Sequence, residues 1–279
     1  MSGLRTRMAF AWQALTRRQR NCPWCGSAAL VTRGRKAAGL VALRQCERCA
    51  LLHTSPMYVP ARTAAFYDVC YDQKEVVAMP DAATLAALKT RLFRGHARDA
   101  WPLLVALRAQ FARTASPTLL DFGCSWGYLL FQAQATGFLA TGVETARTRR
   151  DFARQHLGVD VCAGLSDVPS TARFDVVHCA HTLEHLCDLR TQWPDLLSRV
   201  APGGWLLVEV PDVDPARNPG WASLLGAVHP LGLNRRFLAG AVAAVGWSAA
   251  TFGSSWAGFP QLTEGQGGTL CMWAQAPRT

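Results

Sequence analysis

An acid, two glycines and a small residue crowd into one short stretch, Asp121-Phe122-Gly123-Cys124-Ser125-Trp126-Gly127. Gly123 and Gly127 let the backbone turn tightly and allow a ligand to lie against it. The helix expected to follow begins with unpaired N–H groups. Asp121 ends the apolar run Leu119-Leu120, where an acid can meet an ammonium or hydroxyl group. A pyrophosphate would be repelled by that acid and would want a third glycine. The expected ligand therefore carries an amine and no phosphate. Glu144 closes a second apolar run, 23 residues after Asp121, a spacing that suits a ribose diol at the tip of a second strand.

A second group, expected to open a helix, is His181-Thr182-Leu183-Glu184-His185, in which the two histidines, four apart, and Glu184 share one face. Its form matches the His-x-x-Glu-His metalloprotease motif. It follows directly on an apolar run, however, at the edge where an open parallel sheet holds its ligand, so a protease is not expected. An imidazole titrates near working pH and can take a proton from a reacting hydroxyl, amine or carbon acid. His185 is the first candidate base and His181 the second, with Glu184 as orienter or alternative. Spacing supports neither a catalytic zinc nor a nucleophilic triad: Cys124 lies in the glycine turn and no serine sits in a Gly-x-Ser-x-Gly elbow.

Cys22-x-x-Cys25 and Cys46-x-x-Cys49 form two knuckles with twenty residues between them. Four thiolates at that spacing close a tetrahedron around Zn²⁺ and leave no open position, so the expected metal is structural. The intervening apolar runs read as strands of a zinc ribbon. A reducing, cytoplasmic setting, expected in the absence of a recognisable secretory signal, favours metal over disulfides.

These groups need a scaffold that brings strand ends together. At 279 residues, half of them hydrophobic, the chain can bury a large core, and no apolar run approaches the length of a membrane span. Of the net charge of +10, residues 1–50 carry +9. That concentration points to an anionic partner near the N-terminal module, such as phosphate, nucleic acid, an acidic protein or lipid headgroups. Apolar runs at 119–120, 138–143, 159–162, 174–179 and 205–210, separated by helical stretches, predict an α/β fold with a parallel sheet; 246–252 and 270–276 read as two more strands. Upstream, Leu85, Leu88, Leu92 and His96 predict one helical stripe, and Pro102 opens a second helix with Leu104, Leu107 and Phe111. The expected organisation is a basic arm and zinc ribbon over 1–60, a helical linker or lid over 61–115, and a ligand-binding domain over 116–279.

The acid–glycine loop resembles the first motif of class I S-adenosylmethionine-dependent methyltransferases, Asp-x-Gly-x-Gly-x-Gly, with Ser125 at the middle glycine. Leu183-Glu184-His185 is similar to a segment of such enzymes that act on small metabolites. An N-terminal ribbon followed by Tyr67-x-x-x-Tyr71 resembles the layout of small-molecule methyltransferases in this family. The resemblance implies a Rossmann-like seven-stranded sheet with the last strand antiparallel, S-adenosyl-L-methionine as cofactor, and a small-molecule acceptor methylated on O, N or C. It implies cofactor contacts from Asp121, Gly123, Cys124, Ser125, Gly127, Glu144, Thr145 and Cys179, with Ser166 and Asp167 near the adenine. It also implies substrate-facing roles for Tyr67, Tyr71, Arg235 and Arg236, and makes His229 a further base candidate. Two alternatives stand beside it: an RNA methyltransferase docking through its basic ribbon, and a non-catalytic scaffold of the same fold.

Overall fold

The computed structural model describes residues 21–36, 38–57, 78–226, 228–247, 250–264 and 268–278. The basic arm before residue 21, Tyr67 and Tyr71 lie outside them. Three strands open the described chain: β1 (Leu30–Lys36), β2 (Val41–Cys46) and β3 (Leu52–Ser55), paired antiparallel in sequence order. Two helices follow, α1 (Ala82–Thr90), capped by Asp81, and α2 (Trp101–Gln110), whose first turn holds Pro102. The expected single stripe through Leu92 and His96 is not formed. Leu92 and Phe93 take left-handed backbone (φ 52° and 61°), which ends the helix and turns Phe93 into the core instead.

From there strands and helices alternate: β4 (Thr118–Phe122), α3 (Tyr128–Ala135), β5 (Leu139–Val143), α4 (Arg147–Phe152), β6 (Asp160–Cys162), β7 (Phe174–Ala180), α5 (Leu189–Ser198) and β8 (Val200–Pro211). A short α6 (Trp221–Leu224), β9 (Leu231–Gly232), α7 (Arg235–Ala243), β10 (Thr251–Gly253) and β11 (Thr269–Gln275) complete the described chain. The main sheet has seven strands in the order β10-β11-β8-β7-β4-β5-β6. β4 through β8 are parallel, and β11 inserts antiparallel between β8 and β10. The expected doubly wound sheet with its last strand reversed is thus observed. Its central strands are apolar on both faces, as Leu119, Leu120, Val176, Val177, Leu206 and Leu207 all lie out of solvent.

Each face of the sheet carries its own core. One packs α1 to α3 through Leu85, Leu104, Leu107 and Leu130. The other packs α5 and α7 through Trp193, Leu196, Phe237 and Leu238, and it takes in Cys22, Cys46, Leu51 and Met57 of the N-terminal module. The module is also tied to the large sheet's domain by backbone: β9 pairs with β3 and becomes the fourth strand of the small sheet. The boundary expected at residue 60 therefore separates segments that share a sheet and a core.

Gln132 shows how tightly the helical layer is stapled. It is fully buried on α3; its Oε1 accepts the Ala100 N–H at the start of α2 (2.9 Å), and its Nε2 donates to Arg98 O (2.8 Å). Ala100 has no side-chain cap of its own, so Gln132 satisfies an otherwise orphaned helix terminus. Gln132→Ala is expected to cost about 1–3 kcal/mol in urea unfolding, because buried partners are left unpaired. An unchanged denaturation midpoint would show that water replaces the amide.

Candidate functional site

The acid–glycine loop crosses the carboxyl ends of β4 and β5. The strands pair in parallel, Asp121 opposite Gly142 and Phe122 opposite Val143, and the loop closes by donating the Gly123 and Cys124 N–H groups to Val143 O (2.8 and 3.0 Å). Gly123 has φ 86°, and a Cβ there would lie 2.0 Å from Thr182 Oγ1. Gly127, at φ 85°, starts α3 against Val159 and Ala153. Ser125, standing at the motif's middle glycine, adopts φ 53°, so the substitution keeps the left-handed turn that glycine would give.

Asp121 and Glu144 are both buried and flank this loop. The thiol of Cys124 between them is pushed well up by burial, and the charges of Asp121 and Glu144 add to the rise. Asp121 Oδ1 receives a 2.8 Å bond from His178 Nδ1 on β7, the residue opposite it in the β4–β7 register. Glu144 Oε1 accepts the Ala146 N–H at 2.7 Å. Burial raises the Glu144 carboxyl, opposed by that bond and by Arg149 and Arg150. Arg149, itself buried, places Nη1 3.4 Å from Ser125 Oγ. Neither His178 nor Arg149 stands out in the sequence; only the strand register and the turn of α4 bring them here.

The other expected cofactor residues divide. Thr145 is exposed just past Glu144, its carbonyl accepting from Arg150. Ser166 and Asp167 sit on the loop after β6, where Asp167 Oδ2 accepts the N–H groups of Ala163 and Gly164 and so braces its own turn. Cys179 is wholly buried in the core on the α5 side, in the same cluster as Phe122 of the loop.

Thr182, against Gly123, leads into the turn Leu183–His185. The turn is a single 3-10 turn preceded by left-handed His181 (φ 48°), so the two histidines do not share the helix face expected of them. His181 instead lies between two carboxylates, Nε2 3.1 Å from Glu209 Oε1 and Nδ1 3.5 Å from Glu184 Oε1. Burial would lower its pKa, but Glu184 and Glu209 overcome that and push it up to about 10. Burial works against the charge of Glu209 too; His181 and the Trp256 indole, 2.6 Å away, hold its carboxyl below the usual range. His185 pairs instead with His229: the rings meet edge-on with centroids 4.6 Å apart. Burial pulls the His185 pKa down.

The four knuckle cysteines converge, as the spacing predicts. Cys22 Sγ is 3.6 Å from Cys49 Sγ, Cys25 Sγ is 3.6 Å from Cys46 Sγ, and all four sulfurs lie within 4.8 Å of one another. A tetrahedron with Zn–S bonds of about 2.3 Å has edges of about 3.8 Å, so the set fits a zinc ion and is too open for disulfides. Arg235 and Arg236 face this module. With Arg33, Glu47, Trp221 and Asn234 they line a cavity of about 720 Å³ between the ribbon and the loop after β8. Arg235 is already paired with Glu264, and Arg236 donates to Glu47 O.

No helix among the described residues is long and apolar enough to cross a membrane. The family described as methyltransferase domain matches residues 93–249, more than half of the chain. The ubiquinone biosynthesis O-methyltransferase of Chromobacterium violaceum is 29% identical over 113 residues, spanning 38% of this chain and 49% of that protein. Its counterpart in Nitrosospira multiformis is 29% identical over 122 residues, spanning 41% and 51%. The chain thus spans about half the length of the curated relatives it matches. Among solved structures, the plantazolicin methyltransferase BpumL in complex with SAH superposes with a TM-score of 0.52 at 14% identity, over 78% of this chain and 95% of that one. An S-adenosylmethionine-dependent methyltransferase from Clostridium acetobutylicum gives 0.51 at 10% identity, over 70% and 98%. At these identities the structural likeness is one of fold. With the acid–glycine loop at the head of a seven-stranded doubly wound sheet, and the family match running through it, the chain belongs to the methyltransferase-domain family.

Proposed function

We propose that the protein transfers the activated methyl group of S-adenosylmethionine to a small-molecule acceptor. One observation carries the reading: the glycine loop that would hold the cofactor packs directly on Thr182, at the head of the segment bearing Glu184 and His185. Cofactor and acceptor chemistry are thereby brought to one edge of the sheet. In this reading Glu144 takes the ribose diol, and the loop of Gly123, Cys124, Ser125 and Gly127 lies along the nucleoside. Asp121, oriented by His178, faces the ligand's amine. Thr145 and Cys179 are further cofactor contacts in this reading, and Ser166 and Asp167 lie near the adenine.

Glu184, His185 and His229 handle the acceptor's proton and oxygen, with His181 as their charged neighbour. Methyl transfer needs the attacking atom in line with the carbon–sulfur bond, and a rigid cradle supplies much of the rate by alignment alone. The names of the curated relatives favour an oxygen acceptor on a small metabolite. Arg235 and Arg236 are proposed to meet an anionic part of that acceptor, and Tyr67 and Tyr71 to cover it. The cysteine cluster is proposed to hold a structural Zn²⁺, with the charge excess of residues 1–50 directed at an anionic partner.

Calorimetry with S-adenosylhomocysteine tests the cofactor reading. One site per chain is expected, and Glu144→Gln should weaken it roughly 10- to 100-fold, the worth of a charged hydrogen bond of about 1.5–3 kcal/mol. Equal affinities in the two proteins would remove Glu144 from the site.

A further inference from the structure

We propose that Glu184, His185 and His229 bind a divalent transition-metal cation, separate from the four-cysteine site. One ring nitrogen from each histidine and one carboxylate oxygen of Glu184 all lie within 4.8 Å of one another. Glu184 is 1% exposed, and neither of its oxygens has a hydrogen-bond partner among the described residues. The nearest cationic group, His181 Nδ1, is 3.5 Å from Oε1 without hydrogen-bond alignment, and the other ring nitrogen of His181 is engaged by Glu209. His181 approaches Oε1 from one side only, and a carboxylate this deeply buried with no hydrogen bond to either oxygen is costly unless further positive charge meets it.

The two histidines are oriented as ligating imidazoles usually are. Each Nδ1 is held by a backbone carbonyl, His185 by Val228 O at 2.8 Å and His229 by Leu224 O at 3.0 Å. A carbonyl only accepts, so Nδ1 carries the hydrogen, and in the neutral ring the lone pair belongs to Nε2. Fixing the tautomer through a carbonyl on the far nitrogen is the usual outer support of a metal-bound histidine. Two imidazoles with one carboxylate suit zinc, iron or cobalt rather than magnesium or calcium, which prefer oxygen. The third ligand lies 44 residues beyond His185, on the loop after α6, so the set is invisible as a spacing in the sequence.

The two metal positions differ in kind. Four sulfurs close the ribbon site, whereas three ligands leave a coordination position open. Resting on the methyltransferase reading above, that position takes the hydroxyl oxygen of an alcohol or phenol acceptor. A hydroxyl bound to such a cation loses its proton more readily. The O–H bond breaks with its proton passing to water. The oxygen then forms its bond to the methyl carbon as the carbon–sulfur bond breaks, and that electron pair stays on sulfur.

The test counts zinc on the full chain. Protein stripped by chelator and dialysed against buffered Zn²⁺ should hold two ions per chain by mass spectrometry. His229→Ala and Glu184→Gln should each hold one, and Cys46→Ser should lose the other. Loading the variants with Co²⁺ keeps the count interpretable, since an intact ribbon gives the intense thiolate-to-cobalt absorption. One ion in the parent protein, or a second ion that survives both His229→Ala and Glu184→Gln, would overturn the proposal. Calorimetry with S-adenosylhomocysteine on the parent separates the two ideas. Cofactor binding with a single zinc sinks only this inference, and two zincs without cofactor binding sink the methyltransferase reading instead.

Discussion

Gly123→Ala is expected to abolish measurable cofactor binding and to destabilise the fold by about 2–4 kcal/mol. Two separate penalties add at this position. The backbone is at φ 86°, where a side chain is strained whatever the space around it, and the new Cβ would stand 2.0 Å from Thr182 Oγ1 and 2.7 Å from its Cγ2. Relief requires the loop to lift off the turn carrying Glu184, which is the contact the proposed site depends on. A second substitution divides the penalties. Thr182→Ala removes Oγ1 and Cγ2 but leaves Cβ 2.9 Å away, so the double variant should regain part of the stability and little of the binding. Full recovery in the double variant would mean that the left-handed backbone is of no consequence. Urea unfolding and calorimetry read the two effects separately.

Cys46→Ser should lose one zinc per chain and lower the melting temperature by on the order of 10 °C. The thiolates of a structural zinc site contribute their binding energy directly to folding. Here the cluster is not a detachable ornament. Cys22, Cys46, Leu51 and Met57 are part of the core that covers α7, Trp24 packs edge-on to Phe237 at 5.4 Å, and β3 supplies the partner of β9. Loosening the ribbon uncovers Leu231 and Phe237, a loss of several kcal/mol, and a domain of this size falls about 2–4 °C per kcal/mol. A local effect, with zinc lost and the melting temperature unmoved, would show that the large domain is indifferent to the ribbon.

Much of this was legible in the residues. Strands buried on both faces read as uninterrupted apolar runs, so β4, β5, β7 and β8 were recoverable, as was the glycine loop between β4 and α3. Paired knuckles likewise announced the cysteine cluster. What the sequence hid are meetings decided by register. Asp121 and His178 are 57 residues apart and touch only because β4 and β7 place them opposite each other. β9 is two residues long, too short for any periodicity, yet it welds the small sheet to the large domain. Leu92 fitted the helical stripe on spacing alone, but the left-handed backbone at Leu92 and Phe93 outweighed it because Phe93 fills the core beside Trp126. The final strand pair also begins later than its apolar run, since Gly246 turns the chain (φ 77°) and β10 starts at Thr251. Within the site, His181 and His185 kept their spacing and lost their shared face, because a 3-10 turn replaced the expected helix.

The most direct test is a crystal structure of the protein grown with S-adenosylhomocysteine. The ribose hydroxyls should lie on the Glu144 carboxylate, the nucleoside along Gly123 to Gly127, and the sulfur toward Thr182 and the Glu184 turn. A nucleoside bound elsewhere, or a Glu144 carboxylate untouched while the ligand sits in another cleft, would contradict the assignment.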